Sequence, residues 1–257
     1  MEISFYKYQG TGNDFVMIDD RSKLFPEKDL FLVKKLCDRK FGIGSDGLIL
    51  IRSKEDFDFE MIYFNADGSQ SMCGNGARCA VAFSRFLGII GVNTTFYAID
   101  GAHEANVVGD EVELGMSPVL SLANAGEDFF VDTGSPHYVR FVENVMEYPV
   151  FEEGAKIRFS NKYAPKGTNV NFVTPLTNKE IQVRTYERGV ENETLSCGTG
   201  VTACALVHGH QNGLNEVVIK TLGGNLRVRF AENPDGSFQH IKLIGPAEQV
   251  FEGRIEI

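Results

Sequence analysis

The chain has 257 residues, 43 % apolar and 23 % charged, with a formal net charge of −10; that is core-forming material for one large domain or two of ordinary size. The acidic balance and the lack of any basic run exclude a nucleic-acid partner, which clustered Lys and Arg would have to hold. No apolar stretch approaches the ~20 residues of a membrane span, and the opening run Met1-Glu2-Ile3-Ser4-Phe5-Tyr6-Lys7 lacks a signal peptide's basic start and apolar core, so a cytoplasmic protein with no membrane partner is expected.

Strand signals dominate, as Val, Ile, Phe, Tyr and Thr cluster in short runs bounded by Gly, Asn and Asp. In the first half, strands are expected near 3–8, 14–19, 47–52, 58–64, 94–99, 103–108 and 111–115. A charged outer helix is predicted over 27–39 and an apolar one over 75–87. In the second half, strands are expected near 128–132, 137–142, 156–160, 169–174, 180–186, 216–220, 225–230 and 238–243, with an apolar helix over 199–211. Both of these helices are apolar nearly all round, so each should be buried inside its own sheet. Each stops at a glycine, Gly88 or Gly213, as helix C-terminal caps often do. The stretch 116–127 reads as a linker between an N-terminal half, 1–117, and a C-terminal half, 118–257. The closing run, about 247–257, alternates apolar and polar residues and is expected to return to the first half as a strand.

The halves repeat one another. Gly12-Asn13-Asp14-Phe15-Val16 is echoed by Gly134-Ser135-Pro136-His137-Tyr138-Val139, and Phe64-Asn65-Ala66-Asp67-Gly68 by Tyr186-Glu187-Arg188-Gly189, both at an offset of 122 residues. Cys73-Gly74-Asn75-Gly76 is echoed by Cys197-Gly198-Thr199-Gly200 at an offset of 124. Val112-Glu113-Leu114-Gly115-Met116-Ser117-Pro118 resembles Ile241-Lys242-Leu243-Ile244-Gly245-Pro246. A repeat this long signals two similar domains and not a short-period solenoid. The expected fold is α+β, with two pseudo-symmetric halves, each a curved, mostly antiparallel sheet or barrel around a central helix.

Five cysteines, an odd number, do not make a disulfide framework. No Cys-x-x-Cys pair occurs, and His208 and His210 would face apart on a helix, so no metal is expected. Cys73 and Cys197 each stand at a predicted helix N-terminus, where unpaired amides and the helix dipole stabilise a thiolate. The glycines that follow let the backbone approach a ligand with its N–H groups exposed, which suits a carboxylate. One thiol from each half, presented to a shared cleft, could remove a proton from one face of a carbon and return one to the other. The competing reading, a small buried hydrophobe, is assigned to Cys37, Cys79 and Cys204.

Five asparagines near strand ends, Asn13, Asn65, Asn75, Asn169 and Asn171, both donate and accept hydrogen bonds. They suggest recognition of ammonium and carboxylate groups together, against the plainer reading of turn residues. Glu187-Arg188 places an anion and a cation side by side just after a strand, either to meet an amine and a carboxylate or as a solvated surface pair. His137 could tune a neighbouring group, or be an ordinary packed histidine.

The stretches Lys7-x-x-Gly10-x-Gly12-Asn13-Asp14-Phe15, Asn65-Ala66-Asp67-Gly68-Ser69, Met72-Cys73-Gly74-Asn75-Gly76-Ala77-Arg78-Cys79, Tyr186-Glu187-Arg188-Gly189 and Cys197-Gly198-Thr199-Gly200 together resemble the diaminopimelate epimerase family, in the family's order over almost the whole chain. The resemblance implies interconversion of L,L- and meso-2,6-diaminopimelate without cofactor or metal, in lysine and peptidoglycan-precursor synthesis, by a cytoplasmic homodimer. It implies Cys73 and Cys197 as the acid–base pair. Gly74, Asn75, Gly198 and Thr199 would bind the reacting α-carboxylate through backbone amides, and Glu187 the α-ammonium. Asn65, Asn169 and Arg188 would hold the distal centre, Asn13 would line the pocket, and His137 and Glu187 would tune the thiols. Two positions depart from the family. Ser135 stands where an Asn is usual, and its shorter hydroxyl can still donate one bond; Gly47 stands where a Gln is common, so a contact at that position is left to the backbone.

A proline racemase-like enzyme shares the two-cysteine logic. It would be expected to carry His in place of Asn75, and its substrate would offer Arg188 no distal carboxylate. A thiol-exchange protein, and a relative that only binds an amino acid, are the remaining alternatives.

Overall fold

The computed structural model describes residues 2–257 and divides them into two compact units, 2–114 with Gly245–Ile257, and Gly115–Ile244. In chain order the elements are β1 (Glu2–Gly10), β2 (Asn13–Asp19), α1 (Leu30–Cys37), β3 (Gly47–Lys54), β4 (Phe57–Asn65), α2 (Gly74–Phe86), β5 (Asn93–Ala98), β6 (Gly101–Val108) and β7 (Glu111–Gly115). There follow β8 (Ala123–Asn124), β9 (Phe129–Asp132), β10 (Pro136–Phe141), α3 (Val150–Arg158), β11 (Asn169–Pro175), β12 (Glu180–Glu187) and β13 (Asn192–Thr194). The chain ends with α4 (Gly198–Asn212), β14 (Glu216–Thr221), β15 (Gly224–Glu232), β16 (Phe238–Pro246) and β17 (Glu248–Glu256).

In the first unit the sheet runs β17-β1-β2-β3-β4-β5-β6-β7, with only β2–β3 and β4–β5 parallel. In the second unit β9-β10-β11-β12-β14-β15-β16 repeats the pattern, with only β10–β11 and β12–β14 parallel. The likeness extends to single rungs. Phe15 pairs with Gly47, and Ile49 with Tyr63; 122 residues on, His137 pairs with Asn169, and Asn171 with Thr185.

Each sheet holds one helix. α4 buries eleven of its residues from Gly198 to Gly209 and touches β9, β10, β11, β12, β14 and β15. Its core partners include Val139, Val173, Ile181, Val183, Val217, Ile219 and Phe230. Gly209 is needed there, because a Cβ would come within 2.3 Å of the Phe230 ring. α2 buries Ala77, Cys79, Ala80, Val81 and Phe83, and Phe83 packs its ring on Tyr6 and Tyr8 of β1. Each is thus an apolar helix within a mostly antiparallel sheet, an α+β architecture.

Three local expectations need correction. Residues 156–160, expected as a strand from their alternation, belong to helix α3 and its end. The burial of Val150 and Gly154, with Ile157 packed on the core, follows the 3.6-residue period. Gly154, a poor helix former, masked that period; it is there because a Cβ would lie 2.4 Å from the Tyr186 Cβ. The helix expected over 27–39 is confined to Leu30–Cys37, opened by Asp29, whose carboxylate accepts from the Leu32 amide. Residues 116–127 are not a free link: Met116 donates to Ile241, Val119 pairs with Phe238, and Val119 lies in the core of the second unit. The short β8 and β13 had no run long enough to read.

Candidate functional site

In the first unit Cys73 is the N-cap of α2, with extended backbone and its sulfur accepting from the Gly76 amide at 3.5 Å. The first-turn N–H groups of Gly74 and Asn75 therefore open beside the thiol. Asn13, at the start of β2, turns its amide oxygen to the Cys73 sulfur at 3.5 Å and to Asn75 Nδ2 at 3.4 Å. Its Nδ2 donates to Asp46 at 2.6 Å. Asp46 and Asp14 are in turn bound by Arg39 at 2.8 and 2.7 Å, and Lys7 lies 2.7 Å from Asp14. Burial alone would raise the Asp14 carboxyl; hydrogen bonds and charge from Arg39 and Lys7 instead bring it from 3.8 to about 2. A clamp of two cations and two carboxylates thus fixes which way the Asn13 amide faces.

Asn65 ends β4 opposite Gly47. Its oxygen accepts from the Tyr63 hydroxyl at 2.9 Å, and its Nδ2 donates to Ser69 and Ser71. Gly47 is buried, its carbonyl accepts from Ser45, and a Cβ there would meet the Tyr63 ring at 2.4 Å. The glycine is what lets Tyr63 lie over this rung and hold Asn65.

In the second unit Cys197 is the N-cap of α4, with the Thr199 hydroxyl 3.6 Å from its sulfur. His137 of β10 lies 2.9 Å from that hydroxyl through Nε2 and 3.2 Å from Asn171 Nδ2 through Nδ1. Burial, and after it the Arg188 charge, push the imidazole from 6.5 to about 3, so it is neutral. Asn169 Nδ2 donates to the Ser135 hydroxyl at 2.9 Å, and its oxygen accepts the Arg188 amide at 2.9 Å. The Arg188 guanidinium reaches Ser135 at 3.5 Å, and Glu187 accepts from the Thr194 hydroxyl at 2.9 Å.

Within the first unit hydrogen bonds join Asn13, Cys73 and Asn75, and sheet register joins Gly47 to Asn65. Within the second they join Ser135, Asn169 and Arg188, and separately His137, Thr199 and Cys197. Asn171 is corrected: it is fully buried with its amide committed to protein partners, so it is no recognition group. The other three thiols are buried, and burial pushes Cys79 to about 12, Cys204 well up and Cys37 up. Sequence reasoning assigned no role to Asp46, Arg39, Tyr63 or Thr185. It also passed over Arg78, a fully buried guanidinium in α2 that donates to Thr11 at 3.3 Å. The offset of 122 was the available signal for Thr185, which lies opposite Asn171 as Tyr63 does Ile49. Among the described residues no cluster of three or more His, Cys, Asp or Glu could hold a metal ion. None of their helices is long and apolar enough to cross a membrane.

The sequence profile of the diaminopimelate epimerase family matches residues 5–117 and 129–248. A protein of Flavobacterium psychrophilum named diaminopimelate epimerase is 50 % identical over 258 residues, 98 % of this chain and 100 % of its own. One of the same name from Aquifex aeolicus is 42 % identical over 278 residues, covering 98 % of each chain. Among solved structures, a PhzF-family phenazine biosynthesis protein of Bacillus anthracis matches with a TM-score of 0.80 at 16 % identity over the whole of both chains. A hydroxyproline epimerase from Agrobacterium vitis matches with a TM-score of 0.70 at 13 % identity over 99 % of this chain and 92 % of its own; at such identities the likeness is one of fold. With a profile match spanning both units and half of all positions identical to a full-length relative, this chain belongs to the diaminopimelate epimerase family.

Proposed function

We propose that this protein interconverts L,L- and meso-2,6-diaminopimelate by moving one α-proton, with Cys73 and Cys197 as the acid–base pair. One sulfur, as thiolate, takes the α-proton and becomes a thiol. The other, as thiol, delivers its proton to the opposite face and becomes the thiolate. Atoms and charge balance without a cofactor, and the reverse reaction exchanges the roles. Between the two transfers, negative charge spreads from the α-carbon into the α-carboxylate. The amides of Gly74, Asn75, Gly198 and Thr199, at two helix N-termini, suit that charge and act most strongly when water is excluded.

Glu187 is assigned to the α-ammonium, and Asn65, Asn169 and Arg188 to the distal amino-acid centre. Asn13, Ser135 and the Gly47 backbone are assigned to the pocket wall. The observation that carries the reading is the pair of cysteines, each the N-cap of the one apolar helix in its own sheet, in units that repeat rung for rung. Family membership supports the substrate. A cytoplasmic homodimer completes the proposal.

The test is the purified protein with L,L-diaminopimelate in deuterated water. Deuterium should enter at an α-carbon as meso product forms, and Cys73→Ala and Cys197→Ala should each abolish epimerisation. An active single variant refutes the two-thiol scheme. Turnover of proline or hydroxyproline in place of diaminopimelate would move the assignment to the racemase alternative.

A further inference from the structure

The hydrogen bonds behind Cys197 have a fixed direction. Asn171, wholly buried in β11, donates through Nδ2 to the Tyr138 carbonyl at 2.9 Å. A carbonyl only accepts, so the amide nitrogen must be on that side. The amide oxygen, on the other side, accepts the Thr185 hydroxyl at 2.9 Å. The second Nδ2 proton faces His137 Nδ1 at 3.2 Å, and that ring nitrogen must therefore present its lone pair. His137 is neutral and has one N–H, which is then on Nε2, 2.9 Å from the Thr199 hydroxyl oxygen. That oxygen accepts from the ring, which leaves its own proton available to the Cys197 sulfur 3.6 Å away.

The fold does not require this chain of bonds. In the first unit the corresponding rungs carry Phe15, Ile49 and Tyr63 in place of His137, Asn171 and Thr185. The helix starts record the same contrast. A Cβ on Gly76 would meet Ile49 and Phe15, whereas one on Gly200 would meet the Asn171 oxygen at 2.4 Å. At the matching helix start one copy has the Asn171 amide where the other has Ile49 and Phe15.

We propose that Asn171 and Thr185 are positioning residues that, through His137 and Thr199, keep a hydroxyl proton directed at the Cys197 sulfur and so stabilise its thiolate. The proposal rests on the function assigned above and adds how one of the two thiols is made a base. Other ionisable groups face this end of the unit: Cys204 from α4, a thiol kept protonated by burial, and Glu187 and Arg188 where β12 ends.

The test is iodoacetamide alkylation of each cysteine across pH in the ligand-free full chain, read by peptide mass spectrometry, with kcat and KM measured beside it. Asn171→Asp places an acceptor against Nδ1, moves the ring proton there and leaves Nε2 to accept from Thr199, so that Cys197 loses its donor. Thr199→Val removes the donor at a half-buried site where folding is not at stake, and Thr199→Ser restores it. In both Asn171→Asp and Thr199→Val the alkylation midpoint of Cys197 should rise by about half to one pH unit. That of Cys73 should stay in place. In Asn171→Asp kcat should fall several-fold with KM nearly unchanged, and Thr199→Ser should return the Cys197 alkylation midpoint to that of the unaltered protein. An unmoved Cys197 midpoint in Thr199→Val, or an equal shift at Cys73, overturns the relay. Because alkylation uses no substrate, a shifted Cys197 in a protein inert toward diaminopimelate would uphold the relay and overturn the substrate assignment instead.

Discussion

Gly76 and Gly200 occupy the same place in the two Cys-Gly-x-Gly turns, yet alanine should act very differently at each. At Gly200 the new Cβ would lie 2.4 Å from the Asn171 oxygen, about 1 Å inside ordinary contact. Asn171 cannot yield that distance, because its amide is bonded at once to Tyr138, Thr185 and His137. Displacing it strands at least two buried polar groups, at about 1–3 kcal/mol each. At the middle of that range, about 2 kcal/mol for each of two groups, and with alanine's better helix propensity returning about 1 kcal/mol, a net loss of about 3 kcal/mol is expected. For a chain of this length that is a fall in melting temperature of roughly 6–12 °C. At Gly76 the nearest atom is the Ile49 Cδ1 methyl at 3.1 Å, followed by the Phe15 ring edge at 3.4 Å. A terminal methyl can rotate aside, so Gly76→Ala should stay within about 1 kcal/mol of the unaltered protein. Thermal and urea denaturation of both variants is the assay; activity is not, since both positions adjoin the proposed carboxylate cradle. A Gly200→Ala protein as stable as Gly76→Ala would refute the reasoning.

Asp14 ionises at about 2 in the folded protein against an ordinary 3.8, so its carboxylate contributes about 2 kcal/mol above pH 4, lost as pH falls toward 2. Asp14→Asn should be less stable by that order at pH 7 and lose most of its deficit only at about pH 2, as urea unfolding at both pH values will show. His137, depressed from 6.5 to about 3, favours folding above pH 6.5 and loses that contribution as pH falls toward 3. Its imidazole NMR signals should be flat between pH 5 and 8, and a titration centred near 6.5 would contradict its neutral state. Gly154→Ala should destabilise by about 1–3 kcal/mol despite its helical setting, because the Cβ would meet Tyr186 at 2.4 Å; a rise in melting temperature would count against that contact.

The strands were legible as short β-branched and aromatic runs between turn residues, the two apolar helices as long apolar runs that stop at a glycine, and the repeat showed that each half would be built alike. α3 was hidden because a glycine occupies one of its inward positions for a tertiary reason, the approach of Tyr186, which no local pattern records. The cysteines were legible because glycine follows each twice at fixed spacing. The groups that orient them were not. Asp46, Arg39 and Thr185 are ordinary residues in sequence, and their importance comes from facing Asn13 or Asn171 across strands far apart in the chain. Asn171 was visible as one of five asparagines, but only burial distinguishes an amide that binds a ligand from one that fixes a neighbour.

The places where the two copies differ follow from the reaction proposed. A proton transfer that begins at one sulfur and ends at the other needs opposite proton occupancies at the start, and two identical sites would hold no preference between them. Here the Cys73 sulfur meets an amide oxygen held in place by Asp46, and also a backbone N–H, so that as a thiol it can donate and accept together. The Cys197 sulfur meets a hydroxyl whose direction is set three side chains away. Each thiol thus has its own polar support, Asn13 with Asp46 for one and Thr199 with His137 for the other. A substitution in one support should therefore change proton occupancy at its own sulfur without altering the other, which is what the paired alkylation measurements can separate.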